Sequence, residues 1–194
     1  MRLFVAIELT DEVREALTEV QSALGRTSEG VRWVRAEQLH LTVKFLGEVP
    51  DAEVARAAEA MARSAARAKP FEMGVIDSGC FPPRGPVRIV WAGMHDPSGS
   101  LLECVNAVEE EMEGIGFPRE SRPFSPHITI GRAREGRSSD GMRSAVEGVK
   151  IERVGQLVNE LTLMSSVLSP KGPSYSVVSR ARLGAAANPP SGRC

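Results

Sequence analysis

Two of the three histidines in the chain stand two residues before a threonine. The pairs are His40 with Thr42 and His127 with Thr129, and an apolar residue follows each member of a pair. Side chains alternate between the two faces of a strand, so each histidine would share a face with its threonine while the apolar residues pack inward. Two such strands meeting across a cleft would present two imidazoles and two hydroxyl groups to a ligand.

These four side chains suit chemistry at phosphorus. Imidazole titrates near neutral pH, so one histidine can accept a proton while the other donates one. Threonine hydroxyls can donate hydrogen bonds to the non-bridging phosphoryl oxygens. The pattern therefore predicts a site that opens a cyclic phosphodiester without a metal ion. The alternative is a pair of structural histidines on half-buried strands, where threonine is simply a good strand former.

A further candidate lies five positions after each motif histidine. Phe45 and Arg132 stand at the exits of their strands. An arginine there can pair with phosphate or stack on a nucleobase, and a phenylalanine can stack on a base. Alternatively, Arg132 is a surface charge and Phe45 is a core residue. Lys44 alternates onto the same face as Thr42, where it would add positive potential. The third histidine, His95, lacks the pattern and is expected at the surface.

Sequence signatures of several other enzyme classes are missing. The chain has no HExxH or CxxC zinc pattern, no GxxxxGK[ST] or GxGxxG nucleotide loop and no GxSxG nucleophile motif. Its three cysteines, Cys80, Cys104 and Cys194, are widely spaced and odd in number, which argues against a disulfide framework. These observations disfavour a zinc enzyme, a loop-type nucleotide-binding protein and a serine hydrolase.

Composition limits the remaining classes. The 24 Lys and Arg residues nearly balance 25 Asp and Glu residues, for a net charge of −1. This balance argues against a protein that coats nucleic acid, although a small phosphate pocket needs only a few donors. No apolar run reaches the roughly 18 residues of a membrane span, and Glu8 and Asp11 come too early for a signal peptide. We expect a cytoplasmic protein that does not contact membranes.

The secondary structure must place these motifs on strands. Three helices are predicted from apolar residues at i, i+4, i+7 and i+11, namely Val13, Leu17, Val20 and Leu24, then Val54, Ala58, Met61 and Ala65, then Leu101, Val105, Val108 and Met112. A weaker helix is predicted over Asp140–Gly148. Strands are predicted over Leu3–Ile7, Val31–Val34, Leu39–Phe45, Phe71–Ser78, Val87–Ala92, His127–Arg132, Glu160–Leu168 and Tyr175–Leu183.

This order of elements favours a mixed α+β fold with antiparallel sheets, because strands follow one another through short links with few helices between them. Each His-x-Thr motif follows a striped helix and begins a strand, which suggests two similar halves. Arg134–Gly141 is expected to be a polar loop. Residues 184–194 contain Pro189-Pro190 without an apolar pattern and are expected to form a disordered tail.

The motifs resemble those of the two-histidine phosphoesterase superfamily and, within it, the bacterial and archaeal RNA 2′,3′-cyclic phosphodiesterases, historically called 2′-5′ RNA ligases. The resemblance covers residues 1 to about 183. It is carried by Arg2–Ile7, Trp33, His40–Glu48, Val90–Gly93, Phe124–Arg132, Ser166–Leu168 and Gly172–Tyr175. Gly131 is a departure, because alanine is common there in the family.

The resemblance implies one bilobal domain over 1–183, in which two antiparallel sheets face each other across a central cleft. Helices would cover the outer faces, a pseudo-two-fold axis would relate the lobes, and each lobe would carry one motif. It also implies a substrate, a terminal RNA 2′,3′-cyclic phosphate hydrolysed to a 2′-phosphate. No cofactor is expected.

A mechanism follows from the residues and the resemblance together. His127 is expected to accept a proton from the attacking water, and His40 to donate a proton to the departing 3′-oxygen. Thr42 and Thr129 would bind the phosphoryl oxygens, and Arg132 would balance the developing charge. The donor and acceptor roles are interchangeable at this stage.

Three other functions remain open from the sequence. The chain could act on another cyclic nucleotide or on a 2′-5′ linked oligonucleotide, as phosphodiesterase or ligase. It could be a non-catalytic module that binds RNA ends, or a small-molecule binding protein with structural histidines. The expected partners are RNA 3′ ends or small cyclic-phosphate nucleotides, and the chain is expected to be a monomer without an obligate protein partner.

Overall fold

The computed structural model describes residues 1–25, 30–134, 141–169 and 172–185. In these ranges the chain forms nine strands, four helices and one 3₁₀ turn. The strands are β1 (Arg2–Glu8), β2 (Val31–Trp33), β3 (His40–Glu48), β4 (Phe71–Phe81), β5 (Ile89–His95), β6 (His127–Ala133), β7 (Gly155–Val158), β8 (Glu160–Ser169) and β9 (Gly172–Arg182). The helices are α1 (Asp11–Gly25), α2 (Asp51–Arg67), α3 (Ser100–Glu113) and α4 (Met142–Gly148), and the 3₁₀ turn is Ala36–Gln38.

The strands form two antiparallel sheets. The first sheet has the order β3-β1-β8-β9, and the second has the order β2-β6-β5-β4-β7. Helices α2 and α3 pack together beside the first sheet, where α2 contacts β8 and β9 and α3 contacts β3. Helices α1 and α4 pack on the second sheet. This arrangement confirms the predicted α+β class with two antiparallel sheets.

A pseudo-two-fold relationship connects the two halves of the chain. In the first half, β1 leads through α1 to β3, and β3 pairs with β1. In the second half, β5 leads through α3 to β6, and β6 pairs with β5. The order β3-β1-β8-β9 thus corresponds to β6-β5-β4-β7, and β2 is an additional edge strand beside β6. The repeat of the His-x-Thr pattern reflects this symmetry, as the sequence suggested.

The predicted helical faces are confirmed for α1 and α3, whose four stripe residues are all buried. The predicted face of α2 is only half right, because Val54 and Ala58 are partly exposed. The buried residues of α2 are Ala57, Ala60, Met61, Ser64 and Ala65. This alanine-rich helix contacts both α3 and the β8–β9 pair, so small residues rather than large apolar ones mark its buried side.

Some boundaries differ from the prediction. The strand β7 was not predicted, because four residues that include a glycine and a glutamine give too short a pattern. The strand β4 continues to Phe81, and β5 begins at Ile89 rather than Val87. Most of the predicted polar loop and of the predicted tail lies outside the described residues. No helix in the described ranges combines the length and the apolar character needed to cross a membrane.

Candidate active site

The first motif strand is β3, which carries His40 and Thr42. It has a β-bulge directly after Thr42. Thr42 lies opposite Ala6 of β1, whereas Lys44 lies opposite Val5, so Val43 is the additional residue. Both Val43 and Lys44 are buried on the core side. Since a bulge resets the alternation of side chains, Phe45 returns to the face that carries the motif histidine.

The second motif strand is β6, which carries His127 and Thr129. It has a β-bulge directly after Thr129. Thr129 lies opposite Trp91 of β5, whereas Gly131 lies opposite Val90, so Ile130 is the additional residue. The bulge brings Arg132 back to the face of the histidine. Without the bulges, residues five positions after the histidines would point into the core, because an odd offset along a regular strand changes the face.

The bulge overturns one expectation from the sequence. Lys44 does not share the face of Thr42, and its side chain is 2% exposed. It forms an ion pair with Glu109 of α3, at 2.6 Å between Nζ and Oε2. In contrast, Phe45 is 61% exposed, and its ring lies 6.0 Å from that of Phe4 on the cleft face. The interpretation of Phe45 as a core residue is therefore wrong. His95 is exposed at the end of β5, as expected.

Both motif histidines are anchored in the same way. The Nδ1 atom of His40 lies 2.8 Å from the carbonyl oxygen of Gln38, and Nδ1 of His127 lies 2.8 Å from that of Ser125. A carbonyl oxygen only accepts hydrogen bonds, so each Nδ1 carries the proton and donates it. The exchangeable position of each imidazole is therefore Nε2, which fits a pair of groups for proton transfer.

Aromatic rings fix the planes of both imidazoles. The ring of Tyr175 meets His40 edge to face, with centroids 5.0 Å apart and an interplanar angle of 84°. The ring of Phe81 meets His127 at 5.3 Å and 83°. Phe4 also contacts His40, at 4.9 Å. Edge-to-face packing of this kind is favourable and holds the rings in a defined orientation.

A tryptophan extends the aromatic wall beside His127. Trp91 lies 5.4 Å from Phe81 between ring centroids, at an interplanar angle of 31°. Its six-membered ring covers Gly79 of β4, where a Cβ atom would overlap the ring carbons. A glycine at position 79 is therefore needed for the indole to lie against the sheet.

The electrostatics of His40 connect the two sheets. Burial is the largest cause that lowers the pKa of His40 below its ordinary value, and the hydrogen bond to Gln38 opposes it. The positive charge of Arg132 lowers this pKa further, whereas the carboxylate of Glu8 raises it. Arg132 belongs to β6, and β3 lies next to β6 where the sheets meet. The two motifs therefore face a shared space.

A charged network lies beside His40. Glu8 is the cross-strand partner of His40. Its Oε2 atom accepts hydrogen bonds from Nε and Nη2 of Arg180, at 3.0 and 2.9 Å, and from Oγ1 of Thr162 at 3.1 Å. Arg180 also pairs with Glu160, at 3.3 Å. The carboxylate of Glu8 is thereby held in place next to the histidine.

Sequence reasoning had not assigned several of these residues to the site. They are Phe4, Glu8, Phe81, Trp91, Tyr175 and Arg180. Arg180 reaches the site through Glu8, and each of the others contacts or pairs with a motif residue across strands, so only the register of the sheets could have shown these contacts. In the part of the chain that the structure describes, no group of three or more His, Cys, Asp or Glu side chains is arranged to hold a metal ion.

Two antiparallel sheets that each present an anchored histidine and a threonine to one cleft define a two-histidine phosphoesterase. Comparison with known proteins agrees with this class. The model of the LigT-like phosphoesterase family matches residues 7–91 and 93–175. The chain belongs to that family.

Curated relatives and solved structures are similar over nearly the full chain. An RNA 2′,3′-cyclic phosphodiesterase of Archaeoglobus fulgidus is 36% identical over 176 residues, which cover 90% of this chain and 96% of the relative. The Escherichia coli K12 enzyme of the same name is 33% identical and covers 92% of this chain and 94% of its own. The crystal structure of TT0787 of Thermus thermophilus has a TM-score of 0.76 at 30% identity, covering 95% of this chain and 98% of that one. E. coli LigT complexed with 3′-AMP has a TM-score of 0.69 at 30% identity, with coverages of 94% and 97%.

Proposed function

We propose that this protein hydrolyses the terminal 2′,3′-cyclic phosphate of RNA to a 2′-phosphate. The observation that carries the proposal is the pair of imidazoles, each with Nδ1 bound to a backbone carbonyl and Nε2 left to exchange protons. Relatives with this activity in their names match nearly the whole chain. A module that only binds RNA ends would need phosphate and base contacts but not two histidines anchored in the same way.

The proposed reaction uses one water molecule and two proton transfers. One imidazole accepts a proton through Nε2 as water attacks phosphorus. The bond between phosphorus and the 3′-oxygen breaks, and the other imidazole donates its proton to that oxygen. The product is a 2′-phosphate with a free 3′-hydroxyl. Thr42 and Thr129 donate hydrogen bonds to the phosphoryl oxygens, and Arg132 balances the charge that develops on them.

The roles of the two histidines are assigned as the sequence suggested, with His40 as donor and His127 as acceptor. The lowered pKa of His40 means that this imidazole is mostly neutral at pH 7 in the free protein. A donor must be protonated, so this assignment requires the anionic phosphate of the substrate to raise the pKa of His40 on binding. The reversed assignment, in which His40 accepts the proton, requires no such rise in the pKa of His40.

Base recognition is proposed for Phe45. Its exposed ring is available for stacking with a nucleobase, and Phe4 supports it from the same sheet. A single nucleotide with a cyclic phosphate carries both the phosphate and a base. Small cyclic nucleotides are therefore a second substrate class, which the solved complex of E. coli LigT with 3′-AMP also favours.

The experiment is incubation of a short RNA ending in a 2′,3′-cyclic phosphate with the protein in EDTA. The wild-type protein is expected to form the 2′-phosphate, and His40→Ala and His127→Ala are each expected to lower kcat by roughly 10²- to 10⁴-fold. His95→Ala is the matched control, because this histidine is exposed and lies outside the site. Full turnover in either motif variant would remove the two-histidine mechanism, and a folded wild-type protein without turnover would refute the proposed activity.

A further inference from the structure

A buried amide lies directly behind the bulge of the second motif strand. Gln21 of α1 is 6% exposed, and its Nε2 donates to the carbonyl oxygens of Val34 at 2.7 Å and Ile130 at 2.8 Å. Ile130 is the additional residue of the bulge in β6. One side chain thus ties the end of β2 to the place where the alternation of β6 is reset.

A buried ion pair lies behind the bulge of the first motif strand. Lys44 follows the additional residue Val43, and its Nζ donates to Oε2 of Glu109 at 2.6 Å and to the carbonyl oxygen of Pro118 at 2.8 Å. The same Glu109 oxygen accepts the backbone N–H of Glu120 at 3.3 Å. The bulge in β3 is therefore fixed to α3 and to the segment that follows this helix.

Gln21 and Glu109 occupy equivalent positions in the two halves of the chain. The buried stripes of α1 and α3 have the same spacing, so aligning Val20 with Val108 also aligns Gln21 with Glu109. These two helices correspond under the pseudo-two-fold relationship. At this shared position the first half has the amide of Gln21 and the second half has the carboxylate of Glu109. Gln21 is bound to the bulged segment of β6, and Glu109 is bound to the bulged segment of β3.

We propose that Gln21 and the Lys44–Glu109 pair are positioning residues, which fix the two bulges from behind and thereby hold Arg132 and Phe45 in the cleft. A bulge interrupts the regular hydrogen bonding between strands, and a strand that lost it would turn the following side chain to the other face. Buried polar groups that bind the bulged segment favour the bulged register, because any other register would leave them without partners. The kinetic consequences rest on the proposed function.

The first test needs no substrate. Because the charge of Arg132 acts on His40, the pKa of His40 measured by NMR reports whether Arg132 is in place. Gln21→Met keeps the volume of the side chain but removes its donors. We expect it to raise the pKa of His40 in the same direction as Arg132→Gln. Val20→Ala is the matched control on the same helix, since it weakens the core without removing a bond to Ile130. An unchanged pKa in Gln21→Met, or an equal rise in Val20→Ala, would overturn the proposal for Gln21.

The second test is kinetic and uses a double-mutant cycle on the cyclic-phosphate RNA. Gln21→Met alone is expected to lower kcat/KM about ten- to hundredfold, the range that a small misplacement in an active site can cost. In the Arg132→Gln background, Gln21→Met is expected to lower kcat/KM little further, because the guanidinium that it would displace is already absent. Equal losses in both backgrounds would contradict a role through Arg132. Wild-type inactivity would refute the proposed function but would leave the NMR test intact.

The third test concerns the Lys44–Glu109 ion pair and uses a variant designed so that the protein still folds. Lys44→Met and Glu109→Met together remove both charges, which avoids an unpaired buried ion. We expect this double variant to raise KM for a nucleoside 2′,3′-cyclic phosphate, and to have little further effect when Phe45→Leu is also present. Val108→Ala serves as the control on α3. An unchanged KM, or the same rise in KM with and without Phe45→Leu, would contradict positioning of Phe45 by the pair.

Discussion

Arg132 and His40 belong to different sheets, and the positive charge of Arg132 lowers the pKa of His40. Arg132 lies five residues after the other motif histidine, so its end of β6 approaches the histidine of β3. An anion bound beside His40 would also be attracted by the charge of Arg132. We infer that Arg132 acts in the part of the site that contains His40.

Removing this charge is expected to raise the pKa of His40. Arg132→Gln keeps a polar side chain but removes the charge that disfavours the imidazolium form. The pKa of His40 should therefore move upward toward its ordinary value, although burial still holds it down. Titration of the imidazole by NMR measures this shift. A pKa that is unchanged or lower in the variant would contradict the electrostatic effect of Arg132 on His40.

The pH dependence of kcat/KM is expected to be bell-shaped, because one imidazole must be neutral and the other charged. This parameter reports the free enzyme. One limb is set by the lowered pKa of His40, and Arg132→Gln is expected to move that limb to higher pH, because loss of the charge raises this pKa. A profile whose limbs both stay in place would show that neither is set by His40.

The buried ion pair leads to a prediction about stability. Lys44→Met leaves the carboxylate of Glu109 buried without its cation, which typically costs about 3–5 kcal/mol of the free energy of unfolding. Replacing both residues with methionine is expected to recover most of this loss, because the unpaired charge is gone. Denaturant unfolding of the wild-type, single and double variants measures the difference. A double variant as unstable as Lys44→Met would contradict this account.

The contact between Gly79 and Trp91 predicts the effect of a single methyl group. Gly79→Ala forces the indole away from the sheet, since the added Cβ would overlap its ring. Overpacking of this kind typically costs about 1–3 kcal/mol. Tryptophan emission in a Trp33→Phe background would report the displacement. Gly148→Ala is the control, because a Cβ there meets open space. An unchanged emission spectrum in Gly79→Ala would show that the ring does not depend on the glycine.

The sequence was sufficient to place the histidines because local alternation is reliable over two residues. His40 and Thr42 do share a face, and the apolar residue between them is buried. The same reasoning failed for Lys44, two residues further on, because a bulge intervenes. Nothing in the residues of the strand itself indicates the bulge. The bulge in β3 is bound by a side chain of α3 and the bulge in β6 by a side chain of α1, and each of these helices is distant in sequence from the strand that it binds.

Contacts that depend on the register of the sheets could not be predicted from the sequence either. Tyr175 and Phe81 come from β9 and β4, and these strands are not equivalent under the pseudo-two-fold relationship. The sequence therefore shows no repeat that would pair each ring with its histidine. These contacts set the planes of the two imidazoles.

The placement of the helices has a consequence for how the protein unfolds. Helix α1 follows β1 of the first sheet but covers the second sheet, and α3 follows β5 of the second sheet but packs beside the first. The first sheet is thus covered by α2, which follows its own strand β3, and by α3, which follows a strand of the other sheet; the second sheet is covered in the same way by α4 and α1. Separating the sheets would uncover the part of each that the exchanged helix protects, so the lobes should unfold together in one cooperative transition.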